Sequence, residues 1–254
     1  MILASRIDGP EAAPLLVLSG ALGTTTAIWD SQLAALLTCF RVLRHDLPGH
    51  GDSPLPEEPV TVESIARAVL ELLDELEERT TSFCGISLGG MVGMWLGANA
   101  PGRVERLVLA CTGASLGTPQ LYAERAALVR AEGTAVTLAG ARERWFTPGF
   151  ADSPEARRIL DDLAATPSEG YAACCEAVGA FDFRARLPEV VPPTLVVYGE
   201  DDPVTPSSVV ADLGGGIPDS RCVGIPAAAH LANVEQPEAF AAAVLSHLGE
   251  RAAA

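Results

Sequence analysis

Short runs of β-branched and leucine-type residues alternate with segments of helical periodicity along almost the whole chain. Leu15-Leu16-Val17-Leu18, Arg41-Val42-Leu43-Arg44, Ser82-Phe83-Cys84, Leu107-Val108-Leu109-Ala110, Thr194-Leu195-Val196-Val197-Tyr198 and Arg221-Cys222-Val223-Gly224-Ile225 read as strands. Helices are expected between them at about 29–37, 88–98 and 208–213, and after Pro237. Ile65, Val69, Leu72, Leu73 and Leu76 recur at i, i+4, i+7, i+8 and i+11, the apolar stripe of another helix. Strands that alternate with helices demand a mostly parallel sheet covered on both faces, so the fold class is α/β. From about Thr118 to Leu187 no strand is apparent, only helical and polar segments punctuated by Pro148, Pro154, Pro167 and Pro188. About 70 residues is too long for a loop, so a helical insertion within a single domain spanning 1–254 is expected there.

Composition removes several function classes. The 254 residues carry 33 acidic and 17 basic side chains, a formal charge of -16, and every basic residue is Arg. Without Lys, Schiff-base and Lys-general-base chemistry is closed. The acidic field repels a phosphate backbone and no Arg cluster is interleaved with aromatics, so nucleic acid is not an expected partner. No stretch approaches the roughly 20 apolar residues of a membrane helix, and the N-terminal apolar run is too short for a secretory signal, which gives the expectation of a cytoplasmic protein without a membrane partner. The six cysteines form no C-x-x-C pair, and buried free thiols are the expected state.

Gly85-Ile86-Ser87-Leu88-Gly89 fits G-x-S-x-G between a strand and a helix, the context in which a serine sits on a sharp turn with its hydroxyl exposed. With 24 Gly and 14 Ser the bare pattern arises by chance in roughly one chain in eight, so its strand–turn–helix context carries the assignment. A serine needs a base, and the base an orienting acid. Of the four histidines, His45 and His50 precede the serine, against the chain order Ser, Asp/Glu, His, and His247 falls in the last helix, where a surface position is expected. His230, in the loop after the last strand, is therefore the expected base. Gly199-Glu200-Asp201-Asp202-Pro203 follows the preceding strand, and Asp202, held before a proline, is the expected acid, with Asp201 as the alternative. For the oxyanion, backbone N–H groups are expected from Leu88, the residue after the nucleophile, and from Ala21 in the turn Ser19-Gly20-Ala21-Leu22-Gly23.

These motifs resemble those of the α/β-hydrolase superfamily, over nearly the whole chain, and within it the β-ketoadipate (3-oxoadipate) enol-lactonases of aromatic catabolism. The resemblance rests on Leu18 to Thr24 with Trp29-Asp30, on Asp46-Leu47-Pro48-Gly49-His50-Gly51, on Gly85 to Gly90 and on His230 to Pro237. More specifically it rests on Arg144-Trp145-Phe146-Thr147-Pro148-Gly149-Phe150 and Gly170-Tyr171-Ala172-Ala173-Cys174-Cys175-Glu176-Ala177 within the insertion. It implies an α/β-hydrolase fold with the 118–187 insertion as a helical cap. The implied activity is hydrolysis of a carboxylated enol-lactone to a 3-oxo dicarboxylic acid, with no metal or organic cofactor. Arg144 becomes the expected carboxylate-binding residue and Trp145 the wall beside the ring. The pattern departs at Gly179-Ala180, where the family places a polar pair, and this keeps other readings open. Those are another serine esterase or lactonase, a hydrolase or cyclase of secondary metabolism, and a non-catalytic ligand receptor.

Overall fold

The computed structural model describes residues 1–249. Its centre is a seven-stranded sheet in the order β1-β3-β2-β4-β5-β6-β7. The strands are β1 (Ser5–Asp8), β2 (Leu15–Ser19), β3 (Arg41–His45), β4 (Thr81–Ile86), β5 (Val104–Ala110), β6 (Thr194–Gly199) and β7 (Ser220–Ile225). All neighbouring pairs are parallel except β1, which runs antiparallel to β3 along the edge. Leu16, Val17, Leu18, Leu107, Val108 and Leu109 are buried, as central strands covered on both faces require.

The helices follow the expected alternation: α1 (Asp30–Leu36), α2 (Val62–Glu75), α3 (Leu88–Asn99), α4 (Pro119–Glu132), α5 (Leu138–Trp145), α6 (Pro154–Ala165), α7 (Ser168–Ala180), α8 (Ser207–Gly216), α9 (Ala232–Glu235) and α10 (Pro237–Gly249). In α2 the stripe at Ile65, Val69 and Leu73 is buried. Its start is fixed by a reciprocal cap in which Ser64 N–H donates to Thr61 Oγ1 (3.0 Å) and Thr61 N–H to Ser64 Oγ (2.9 Å), an arrangement that stabilises a helix by about 1 kcal/mol. Helix α3 is buried from Leu88 to Gly97, which explains its small, apolar composition on every face.

Between β5 and β6 the chain forms α4 to α7 without a strand. We infer that this segment, 118–187, is the cap of a single domain.

Three features differ from expectation. Strand β1 and the single turn α9 carry no sequence signal: the first is a short, largely exposed edge and the second is too short to show a period. His247 is buried rather than on the surface, with Nε2 3.1 Å from the Pro193 carbonyl oxygen. Four cysteines are buried free thiols, but Cys39 and Cys222 are exposed.

Candidate active site

The doubly wound order places the loops after β2 and β4 side by side at the carboxyl ends of adjacent strands, where the sheet reverses its winding direction and ligand clefts form. Ser87 follows β4 with φ 55° and ψ -112°, outside the regions an L-residue prefers and costing about 1–3 kcal/mol of backbone strain. Its turn is pinned by Ser87 N–H to the Ala110 carbonyl (2.9 Å) and Thr112 Oγ1 to the Ser87 carbonyl (2.7 Å). The flanking glycines are required by space. A Cβ on Gly85 would stand 2.1 Å from the Gly89 carbonyl oxygen, and one on Gly89 would stand 2.3 Å from the Ser19 carbonyl oxygen.

His230 lies in the loop after β7 and Asp202 in the turn after β6. Both are buried, and His230 Nδ1 is 2.8 Å from Asp202 Oδ2. Donation of the Nδ1 proton to that carboxylate leaves Nε2 with its lone pair, the state a general base needs. The carboxylate is held in turn by Val204 N–H on Oδ1 (2.7 Å) and by the Thr205 hydroxyl on Oδ2. Burial pushes the Asp202 carboxyl up, but the His230 charge and these hydrogen bonds outweigh it and leave it below the ordinary carboxylate range. Asp201, its neighbour in the same turn, is exposed.

Leu88 is the first residue of α3, so its N–H has no acceptor within the helix. The loop bearing Ala21 is tied down from three sides. Gly89 N–H donates to the Gly20 carbonyl (3.0 Å), the Ala21 carbonyl accepts from Thr24 N–H (3.1 Å) and Thr24 Oγ1 (2.8 Å), and Gly23 N–H donates to His50 Nε2 (3.0 Å).

Ser87 and His230 open into a small chamber of about 40 Å³. Ala21, Leu22 and Val204 line it on the sheet side, and Tyr122, Arg125, Ala141, Arg144, Trp145, Tyr171 and Val178 on the side of the insertion. Two larger surface depressions, of about 410 and 540 Å³, contain neither a histidine nor a strained serine, so chemistry rather than volume singles out the chamber.

Residues 15–243 match the model of the alpha/beta hydrolase family. The chain belongs to that family. It is 40% identical over 93% of its length to 3-oxoadipate enol-lactonase 2 of Acinetobacter baylyi, of which 89% is covered. Among solved structures it superposes on the enol-lactonase of Burkholderia xenovorans LB400 with a TM-score of 0.94, 38% identity and coverage of 98% of this chain and 96% of that one. A hydrolase of Pseudomonas aeruginosa PA01 superposes equally well, TM-score 0.94 at 46% identity, over 98% of this chain and 94% of that one. The chain is thus an enzyme of the alpha/beta hydrolase family, similar to enol-lactonases.

In this hydrolase two site residues escape sequence reasoning. His50, set aside there because it precedes the serine, receives Gly23 N–H on Nε2 and sits with Nδ1 2.9 Å from the Pro48 carbonyl oxygen, which makes it a neutral strut under the Ala21 loop. Burial pushes it down to about 4. Arg125 faces the chamber from α4, its guanidinium carbon 5.0 Å from the Tyr122 ring centroid. Helical amphipathicity gives no hint that its charge faces the same chamber as that of Arg144.

Arg144 and Trp145 both line the chamber, with Trp145 buried. The Arg144 guanidinium is driven below its ordinary range first by burial and then by the positive charge of Arg125. Neither arginine makes an ion pair with a carboxylate among the described residues. The departure at Gly179 also has a steric reason, since a Cβ there would lie 2.8 Å from Tyr122 Cβ, so glycine lets α7 close on α4 where Tyr122 borders the chamber.

Proposed function

We propose that this enzyme is a serine hydrolase that cleaves a carboxylated enol-lactone, of the 3-oxoadipate enol-lactone type, to a 3-oxo dicarboxylic acid. The observation that carries the substrate class is the pair Arg125 and Arg144. Two half-buried guanidiniums of like charge face one chamber in a protein of charge -16, and their mutual repulsion and desolvation are costs that a bound anion relieves. A guanidinium grips a carboxylate through two parallel N–H bonds, so a carboxylated substrate fits this wall better than a neutral one. Trp145 and Tyr171 supply the apolar flanks for the ring.

By this reading Ser87 Oγ attacks the lactone carbonyl while His230 Nε2 takes its proton, and the tetrahedral oxyanion accepts the Ala21 and Leu88 N–H groups. One such donor is worth about 3–4 kcal/mol in the transition state. Collapse breaks the ring C–O bond and expels the enolate. That group takes the proton from His230 and ketonises while its chain stays tethered through the acyl–Ser87 ester. Water, deprotonated by His230, then hydrolyses the ester and restores the serine. Asp202 holds the imidazole orientation and offsets its charge in both steps.

The test is loss of the enol-lactone absorbance on adding the purified protein, with Ser87→Ala as control. Turnover by the wild type and its abolition in the variant support the reading. Wild-type turnover of simple aryl esters but not of the lactone would reduce it to a general serine esterase.

A further inference from the structure

Glu235 is buried on α9 and belongs to a motif for which the proposed chemistry has no use. Three donors hold its carboxylate. Oε1 accepts from Thr147 N–H (2.9 Å) and Thr147 Oγ1 (2.7 Å), and Oε2 accepts from Ala229 N–H (2.5 Å). One oxygen therefore holds the insertion, two residues after Trp145, and the other holds the residue before His230. A second tie runs beside it, from Leu231 N–H to the Trp145 carbonyl (3.0 Å). The post itself is fixed to the core, because Asn233 Nδ2 donates to the Ile28 carbonyl (2.8 Å) and Gln32 Nε2 to the Asn233 carbonyl (2.6 Å).

We propose that Glu235 is a positioning residue that makes the placement of His230 conditional on the seating of the Trp145–Thr147 segment, so that the base is aligned only when that segment of the insertion is seated. A chamber of about 40 Å³ is far below the few hundred Å³ of an ordinary ligand site, so the seating of the insertion bears directly on the room a lactone has beside His230. Trp145 lines that chamber and passes its carbonyl to Leu231, while Thr147 and Ala229 share one carboxylate. Displacement of the segment is therefore transmitted to both neighbours of the histidine. The inference rests on His230 as the base.

Glutamine is the discriminating substitution. Its side chain replaces one of the two acceptor oxygens with a donor NH2, so in the place of the carboxylate it cannot accept from both the Thr147 and the Ala229 backbone N–H. Glu235→Gln should lower kcat by about ten- to a hundredfold, the scale of a misplaced catalytic group, on a neutral aryl ester and on the lactone alike, with KM changed less than about threefold. In the proton NMR spectrum the deshielded resonance of the Asp202–His230 hydrogen bond should broaden or shift while circular dichroism reports a folded protein. Thr147→Val, which removes a single donor at the half-buried end, should lower kcat by about threefold and serves if the glutamine variant does not fold. Folded variants with wild-type kcat and an unmoved resonance would overturn the inference, as would losses that only track the unfolded fraction. His230→Ala separates the two claims: retained activity there refutes the base assignment, whereas an inactive His230→Ala beside a fully active Glu235→Gln refutes only the coupling.

Discussion

His45 and His50 are fully enclosed, and burial pushes each from the ordinary 6.5 down to about 4, only partly opposed by a backbone carbonyl and by Asp46. Both are neutral in the folded protein, whereas the unfolded chain protonates each near 6.5. Their contribution to stability is therefore complete above pH 6.5 and is lost as the pH falls toward 4, because the unfolded state binds the extra protons. One pKa unit corresponds to about 1.4 kcal/mol, so protonation of the unfolded chain removes about 3 kcal/mol per histidine and about 6 for the pair by pH 4, as much as the whole stability of many domains. Urea denaturation followed by circular dichroism at pH 7.5, 6.5, 5.5 and 4.5 should show stability falling by up to about 2.7 kcal/mol per pH unit in the lower half of that range. His50→Gln should reduce that slope by about 1.4 kcal/mol per unit, whatever it does to the value at pH 7.5. The Asp202 carboxyl, held below its ordinary range, titrates under this window and does not obscure it. A wild-type stability that is flat from pH 7.5 to 5, or an unchanged slope in the variant, would refute the reasoning.

Ser87→Ala and His230→Ala should each cost several orders of magnitude in kcat, and the double variant little more, because a nucleophile and its base act as a unit; steady-state kinetics on the lactone measure both. Asp202→Asn should cripple turnover by disturbing the imidazole tautomer while Asp201→Asn, on an exposed carboxylate, stays near wild type, as parallel kcat measurements will show. Arg144→Ala should lower kcat/KM for the carboxylated lactone by about 2 kcal/mol, roughly thirtyfold, with little effect on a neutral ester of equal size. Equal losses on both substrates would point to a destabilised insertion instead.

The sheet and its helices were legible because central strands with both faces covered leave short apolar runs, as at Leu15 to Leu18 and Thr194 to Tyr198, and because α2 keeps a clean period. Strand β1 was not, since Ser5-Arg6-Ile7-Asp8 lies on an edge and presents mostly polar groups to solvent. The sequence pointed to Ser87 by G-x-S-x-G between a strand and a helix, to His230 by chain order, and to Asp202 by its place before Pro203. The structure brings these residues together, with Ser87 and His230 on one chamber and Asp202 bonded to the imidazole. What the sequence could not reveal were interactions made only by tertiary approach. These are Arg125 and Arg144 facing one chamber from two helices, His50 reaching Gly23 over 27 residues, and Glu235 bridging Thr147 and Ala229. Chain order alone counted His50 out as a base and could not show that it is a strut. The exposure of Cys39 and the burial of His247 likewise depend on neighbours distant in the chain.

The central claim is that the Arg125–Arg144 wall selects a carboxylated lactone for a serine-hydrolase centre. It is tested most directly by the ratio of kcat/KM for 3-oxoadipate enol-lactone to that for its methyl ester, in which only the carboxylate is masked. A charge-assisted hydrogen bond worth about 2 kcal/mol predicts a preference of at least about thirtyfold for the free acid, shrinking as salt is raised. Equal rates, or a preference for the methyl ester, would contradict it.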